Sequence, residues 1–160
     1  MKTAVIYYSM SGNTKQTAEK IAPQLDAELI RLEPVKEYPS SGFKKFLWGG
    51  KSAVMGEKPR LQPYRFDGGY DRVILGSPVW ASNMAPPIRS FITENREALK
   101  GAQVAAFVCL SGSGADKALD KVKKLLGIEA FAAELILVDP KDHPKPEDGE
   151  KIAAFCEQLK

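Results

Sequence analysis

Apolar and polar positions in the chain follow two alternating periods. Residues 3–8 form a near-continuous apolar run, as a strand buried on both faces requires, and residues 13–25 place Ala18, Ile21, Ala22 and Leu25 on one helical face. Pro23 is expected to loosen the last turn of that helix. Further strands are predicted at 28–33, 71–77, 103–110 and 133–138. Between them, a helix starts at Pro86 or Pro87 and presents Ile88, Phe91 and Ile92, and another spans 115–126 with Leu119, Val122 and Leu126 inward. A last helix runs from about Glu147 to the end, with Ile152, Phe155, Cys156 and Leu159 on one face. Such alternation predicts one α/β domain over 1–160, a five-stranded parallel sheet with helices on both faces, because parallel neighbours need crossovers that pack back on the sheet.

Composition agrees with a single ordinary domain. A chain of 160 residues, 44% hydrophobic and 27% charged, buries one continuous core more readily than two. No apolar stretch approaches the roughly 20 residues of a membrane span, and the N-terminus lacks the features of a secretion signal, so a cytoplasmic location is expected. Cys109 and Cys156 sit in apolar runs without metal-ligand spacing and read as buried thiols, and no metal site is predicted.

In a doubly wound sheet, ligands bind outside the carboxyl ends of the strands. Three loops there carry candidate chemistry. The first, "SMSGNT", gathers Ser9, Met10, Ser11, Gly12, Asn13 and Thr14 between the first strand and the first helix. Unpaired N–H groups at a helix start attract an anion, and short hydroxyl and amide side chains around a glycine turn add donors. Capping of the helix by Ser11 or Asn13 is the alternative, but one cap accounts for only one of four polar side chains. The chain has neither the nucleoside triphosphate motif G-x-x-x-x-G-K-[ST] nor the dinucleotide motif G-x-G-x-x-G, so a single phosphomonoester fits better.

"VIYYSMSGNTKQTAEKIA" resembles the phosphate signature of the flavodoxins, in which hydroxyl residues and a glycine hold the phosphate of FMN. That resemblance implies a three-layer flavodoxin-like fold with strand order 2-1-3-4-5, FMN as cofactor, and no lysine countercharge, with Lys15 pointing to solvent.

The second loop, residues 76–92, begins with Ser77, Pro78, Val79 and Trp80, which resemble a flavin-binding loop. Trp80 is the candidate to stack on the flavin ring; anchoring of the loop by Trp80 and Met84 is the competing reading. Asn83 and Met84 resemble part of the "GNM" pattern of flavodoxin-like quinone reductases, with Ser82 where that pattern has glycine. In the third loop, Ser111, Gly112, Ser113 and Gly114 offer backbone N–H groups to the pyrimidine edge of a flavin, or form a turn in which Ser113 caps the next helix. Electron-carrier flavodoxins place an aromatic residue there, and this chain has none, which would leave one flavin face open.

Residues 34–64 resemble an insertion found in one flavodoxin-like subfamily of poorly defined function. Its six Lys or Arg against two Glu carry +4, so the rest of the chain sums to −1 of the total +3. A solvated helix, a docking patch, or a lid with Phe43, Phe46 and Trp48 inward are the readings. Nucleic acid is excluded as a partner for want of any binding motif, and flavodoxin-like carriers are typically acidic where this chain is not. His143, the only histidine, lies in a proline-rich connection and has no apparent catalytic partner. A response regulator of the same strand order would need acidic residues where this chain has Ser9, Met10, Ser77 and Pro78.

The resemblance therefore implies an FMN-dependent redox protein with no catalytic side chain of its own. It would carry electrons between partner proteins, or reduce a small acceptor such as a quinone at the expense of NAD(P)H. A flavin-free interaction module on the same fold is the third reading.

Overall fold

The computed structural model describes residues 1–38 and 57–160. Among them the chain runs β1 (Thr3–Tyr7), α1 (Asn13–Gln24), β2 (Glu28–Arg31), β3 (Arg72–Trp80) and β4 (Asn83–Met84). It continues with α2 (Pro86–Glu94), α3 (Arg96–Lys100), β5 (Gln103–Leu110), α4 (Ala115–Leu126), β6 (Glu134–Val138) and α5 (Asp148–Gln158). Five parallel strands lie in the order β2-β1-β3-β5-β6, the doubly wound order expected, since β4 is only a two-residue antiparallel partner of β3.

Side-chain alternation along the central strands divides the core in two. Ile6, Val73, Leu75, Ala106 and Val108 face α2 and α4, meeting Ile88, Phe91, Ile92, Leu119 and Val122. Val5, Tyr7, Ile74, Ala105 and Phe107 face α1 and α5, meeting Ala18, Ile21, Ile152, Phe155 and Cys156. Phe91, Phe107 and Phe155 are almost wholly buried, each a burial favourable by about 2–3 kcal/mol. Both cysteines are buried free thiols.

The principal departure from expectation lies after position 77. The chain continues as strand to Trp80 and folds back, pairing Val79 with Met84 and Trp80 with Asn83. Ala81 (φ 50°) and Ser82 (φ 60°) form the two-residue turn, with both central residues left-handed as a tight hairpin demands. The second loop thus contains a tight hairpin. Helix α3, with Leu99 buried, is a further element that the apolar periodicity did not single out.

The two ends of the 34–64 segment meet beside β2: Val35 donates to the Arg60 carbonyl at 2.8 Å and Gln62 to the Glu33 carbonyl at 2.7 Å. Phe43, Phe46, Trp48, Lys44, Lys45 and Lys51, on which the lid and docking readings depend, lie outside the described residues. No helix among the described residues is long and apolar enough to cross a membrane.

Candidate functional site

The carboxyl ends of β1, β3 and β5 open on one cleft of about 290 Å³. It is lined by Met10, Ser11 and Asn13 from the first turn, Pro78, Val79, Trp80 and Ala81 from the hairpin, and Cys109, Leu110, Ser111, Gly112 and Ser113 after β5. Asp139, just beyond β6, completes the wall. Residues from all three sequence-predicted loops therefore converge, and a fourth loop joins them.

The first turn is shaped by Gly12, whose φ of 98° suits a residue without a Cβ. Its N–H donates to Ser9 Oγ at 3.2 Å, closing the turn back on the end of β1. The first bond of α1 is from Gln16 N–H to Gly12 O at 3.0 Å, so the N–H groups of Asn13, Thr14 and Lys15 precede the helical ladder. No side chain caps this helix, so the polar side chains are not accounted for by capping. Asn13 Nδ2 approaches Ser11 Oγ at 3.4 Å. Thr14 is buried below the turn, while Ser11 is exposed. These are the donors, short side chains and helix polarity that a phosphate monoester requires.

Lys15 does point to solvent, paired with Glu19 at 3.5 Å. The cation beside the turn is a different one. Lys141, from the loop after β6, donates its backbone N–H to Asn13 Oδ1 at 2.8 Å and its Nζ to the Ser11 carbonyl at 3.2 Å. The resemblance implied a phosphate held without a lysine countercharge, and the structure sets a lysine beside the turn. Apposition of residues 128 apart in the chain leaves no local pattern, and its one signal was position: a lysine three residues past the last strand, at the sheet's carboxyl edge. Lys141 also lies alongside Gly12, where a Cβ would sit 3.2 Å from its Cδ and Nζ.

Asp139 fastens the same loop to the third site loop. Its Oδ1 accepts from Ser111 Oγ at 2.6 Å and its N–H donates to the Leu110 carbonyl at 3.0 Å, with the residue held at φ 42°. His143 donates its backbone N–H to the Asp139 carbonyl at 2.8 Å, a bond that shapes the loop without using the imidazole. Gly114 (φ 101°) precedes helix α4, which has no side-chain cap, so Ser113 is not bound to the helix end.

Trp80 forms one side of the cleft and is itself braced. Its ring meets Tyr8 edge-on at 5.6 Å and Tyr38 at 5.4 Å, and the two tyrosines meet at 6.3 Å. Each such pair is favourable by about 0.5–1.5 kcal/mol beyond its buried area. The packing and ligand-facing readings of Trp80 are therefore compatible: tyrosines hold the indole while it lines the cavity. Burial, with Tyr38 next in importance, raises the Tyr8 phenol well above its ordinary range.

The remaining predicted residues lie behind this surface. Ser77 is fully buried, donating to the Pro78 carbonyl at 2.8 Å and accepting the Ala85 N–H at 2.7 Å, which ties the hairpin to the start of α2. Asn83 and Met84 are buried in the hairpin's second strand, beside a separate hollow lined by Ile88, Ile92 and Lys121. Asn83 Nδ2 donates to the Ala81 carbonyl at 2.7 Å and Lys121 Nζ to the Ser82 carbonyl at 3.2 Å, both restraining the left-handed turn. In the cleft floor, burial pushes the Cys109 thiol up to about 11, opposed by hydrogen bonding with Thr17 and Thr14. No group of His, Cys, Asp and Glu able to hold a metal ion occurs among the described residues.

A parallel sheet of this strand order, with a glycine turn and an indole-walled cleft at its carboxyl edge, defines a doubly wound α/β protein. The chain belongs to the flavodoxin family, whose model, described as Flavodoxin, matches residues 2–137. Among solved structures it is similar to a Lactobacillus acidophilus NCFM flavoprotein in complex with FMN: 25% identity over 88% of this chain and 95% of that one, TM-score 0.72. Oxidised flavodoxin 1 from Bacillus cereus shares the fold at 21% identity, covering 99% of this chain and 97% of that one with a TM-score of 0.58. A WrbA-like flavodoxin from Agrobacterium tumefaciens shares it at 16% identity, covering 98% and 95%, with a TM-score of 0.55. No curated protein matches the chain.

Proposed function

We propose that this protein binds FMN in the cleft and carries electrons between partner proteins. The observation that carries the reading is the convergence of the Gly12 turn and the braced Trp80 on one open cavity, which suits a phosphate at one end and a planar ring at the other. Membership of the flavodoxin family and similarity to a relative solved with FMN support it.

Bound FMN would supply one- or two-electron chemistry, and the protein's part is to hold it and bias its redox states. Asn13, Thr14 and Lys15 N–H groups, with the Ser9, Ser11 and Thr14 hydroxyls, would hold the phosphate. Trp80 would cover one face of the ring, with Pro78 and Val79 along its edge, and Ser111 to Gly114 would approach the pyrimidine side. Asn83 and Met84 would act by fixing the hairpin that carries Trp80.

A second reading, an NAD(P)H-dependent reductase of quinones or other small acceptors, is favoured by one observation. Ser111, Gly112 and Ser113 are exposed and bring no ring to the cleft, so one flavin face would be accessible to a nicotinamide or an acceptor. The visible spectrum of purified protein titrated with FMN, then with NADPH, separates the readings. A bound flavin that NADPH leaves oxidised supports the carrier; bleaching that continues to turn over with added quinone supports the reductase. A protein that takes up no FMN overturns both.

A further inference from the structure

We propose that Lys141 is the countercharge for the cofactor's phosphate and that it sets the preference for FMN over uncharged riboflavin, an inference resting on the flavin reading above. The lysine is held in place from two sides. Its backbone N–H is fixed by Asn13 Oδ1 at 2.8 Å, and the loop that carries it is tied to the third site loop through Asp139 and Ser111 at 2.6 Å. Little reordering of the main chain is needed to engage an anion, which lowers the entropic cost of binding.

Its ammonium is available. An ammonium has three donors, and the contact to the Ser11 carbonyl at 3.2 Å engages one of them. No carboxylate among the described residues pairs with Lys141, whereas Lys15, the third residue of α1, is paired with Glu19. Nζ also stands where it would meet a Cβ at position 12 at 3.2 Å, directly over the glycine that turns the chain into α1. A phosphate seated on the Asn13, Thr14 and Lys15 N–H groups would lie within reach of this cation, so helix polarity and a full charge would act on the same anion. Because Lys141 is exposed, its contribution is modest and sensitive to salt.

The test titrates wild type, Lys141→Met and Lys141→Arg with FMN and with riboflavin, at low and at high ionic strength, following quenching of flavin fluorescence. Lys141→Met is expected to lose about three- to tenfold in FMN affinity and nothing for riboflavin, with a weaker salt dependence than wild type, while Lys141→Arg retains most of the preference. Equal FMN affinity in wild type and Lys141→Met, or equal losses for both ligands, overturns the role of Lys141 and leaves the FMN reading standing. Wild type that binds neither flavin overturns both together.

Discussion

Ser82 occupies the space that a side chain at Gly114 would need: a Cβ there would come within 2.5 Å of Ser82 Oγ and 3.0 Å of Ser82 Cα. The hairpin that carries Trp80 thus rests on the residue that leads into α4, at a position whose φ of 101° already disfavours any side chain. Gly114→Ala is expected to destabilise the fold by about 2 kcal/mol and to weaken FMN binding as the hairpin is pushed away. Urea denaturation followed by circular dichroism, with a flavin titration of the variant, checks both.

Gly76 in β3 lies directly under the Phe107 ring, so a Cβ would overlap that fully buried side chain. Gly76→Ala should cost about 3 kcal/mol, because neither the central strand nor the ring has room to yield. A lowered urea midpoint with an unchanged slope is the expected result.

Trp80 and Trp48 are the chain's two tryptophans, and Trp80 lines the cleft. Titration with FMN, followed by quenching of flavin fluorescence, compares wild type with Trp80→Phe. Affinity should fall by about threefold to tenfold as the larger ring is lost. Unchanged affinity in Trp80→Phe would count against stacking of the flavin on this ring.

Ser11 is exposed on the Gly12 turn and Thr14 is buried. Ser11→Ala and Thr14→Val are expected to weaken FMN more than riboflavin, by roughly threefold to tenfold per lost hydrogen bond. Equal losses for both ligands in parallel titrations would count against the phosphate assignment.

Cys109 titrates in the native protein at about 11, raised by burial from an ordinary value of 9.0. The native thiol holds its proton more tightly than the unfolded chain does, so its contribution to stability is complete below about pH 8.5 and is lost as the pH rises through about 11. Urea unfolding at intervals from pH 8 to 11 should show falling stability, with a shallower decline in Cys109→Ala. At pH 8 the native thiol should react with a thiol reagent only on unfolding.

Much of the fold was legible because it is locally encoded. Continuous apolar runs marked the buried strands, and the 115–126 helix announced itself through Leu119 and Val122 at one-face spacing. The hairpin at 79–84 was not legible, since Ala81 and Ser82 carry none of the glycine or asparagine signal that left-handed turn residues normally show. They are held instead by Asn83 and by Lys121 from α4.

The same division runs through the site. By itself the sequence determined the tight turn between β1 and α1, because a glycine between short polar residues at a strand–helix junction constrains the backbone through neighbours alone. Tertiary structure alone decided that Lys141 stands over that turn, that Asp139 grips Ser111, and that Tyr8 and Tyr38 brace Trp80. Those contacts join residues far apart in the chain, and only the closing of the sheet, which places every strand's carboxyl end on one edge, brings them within hydrogen-bonding distance.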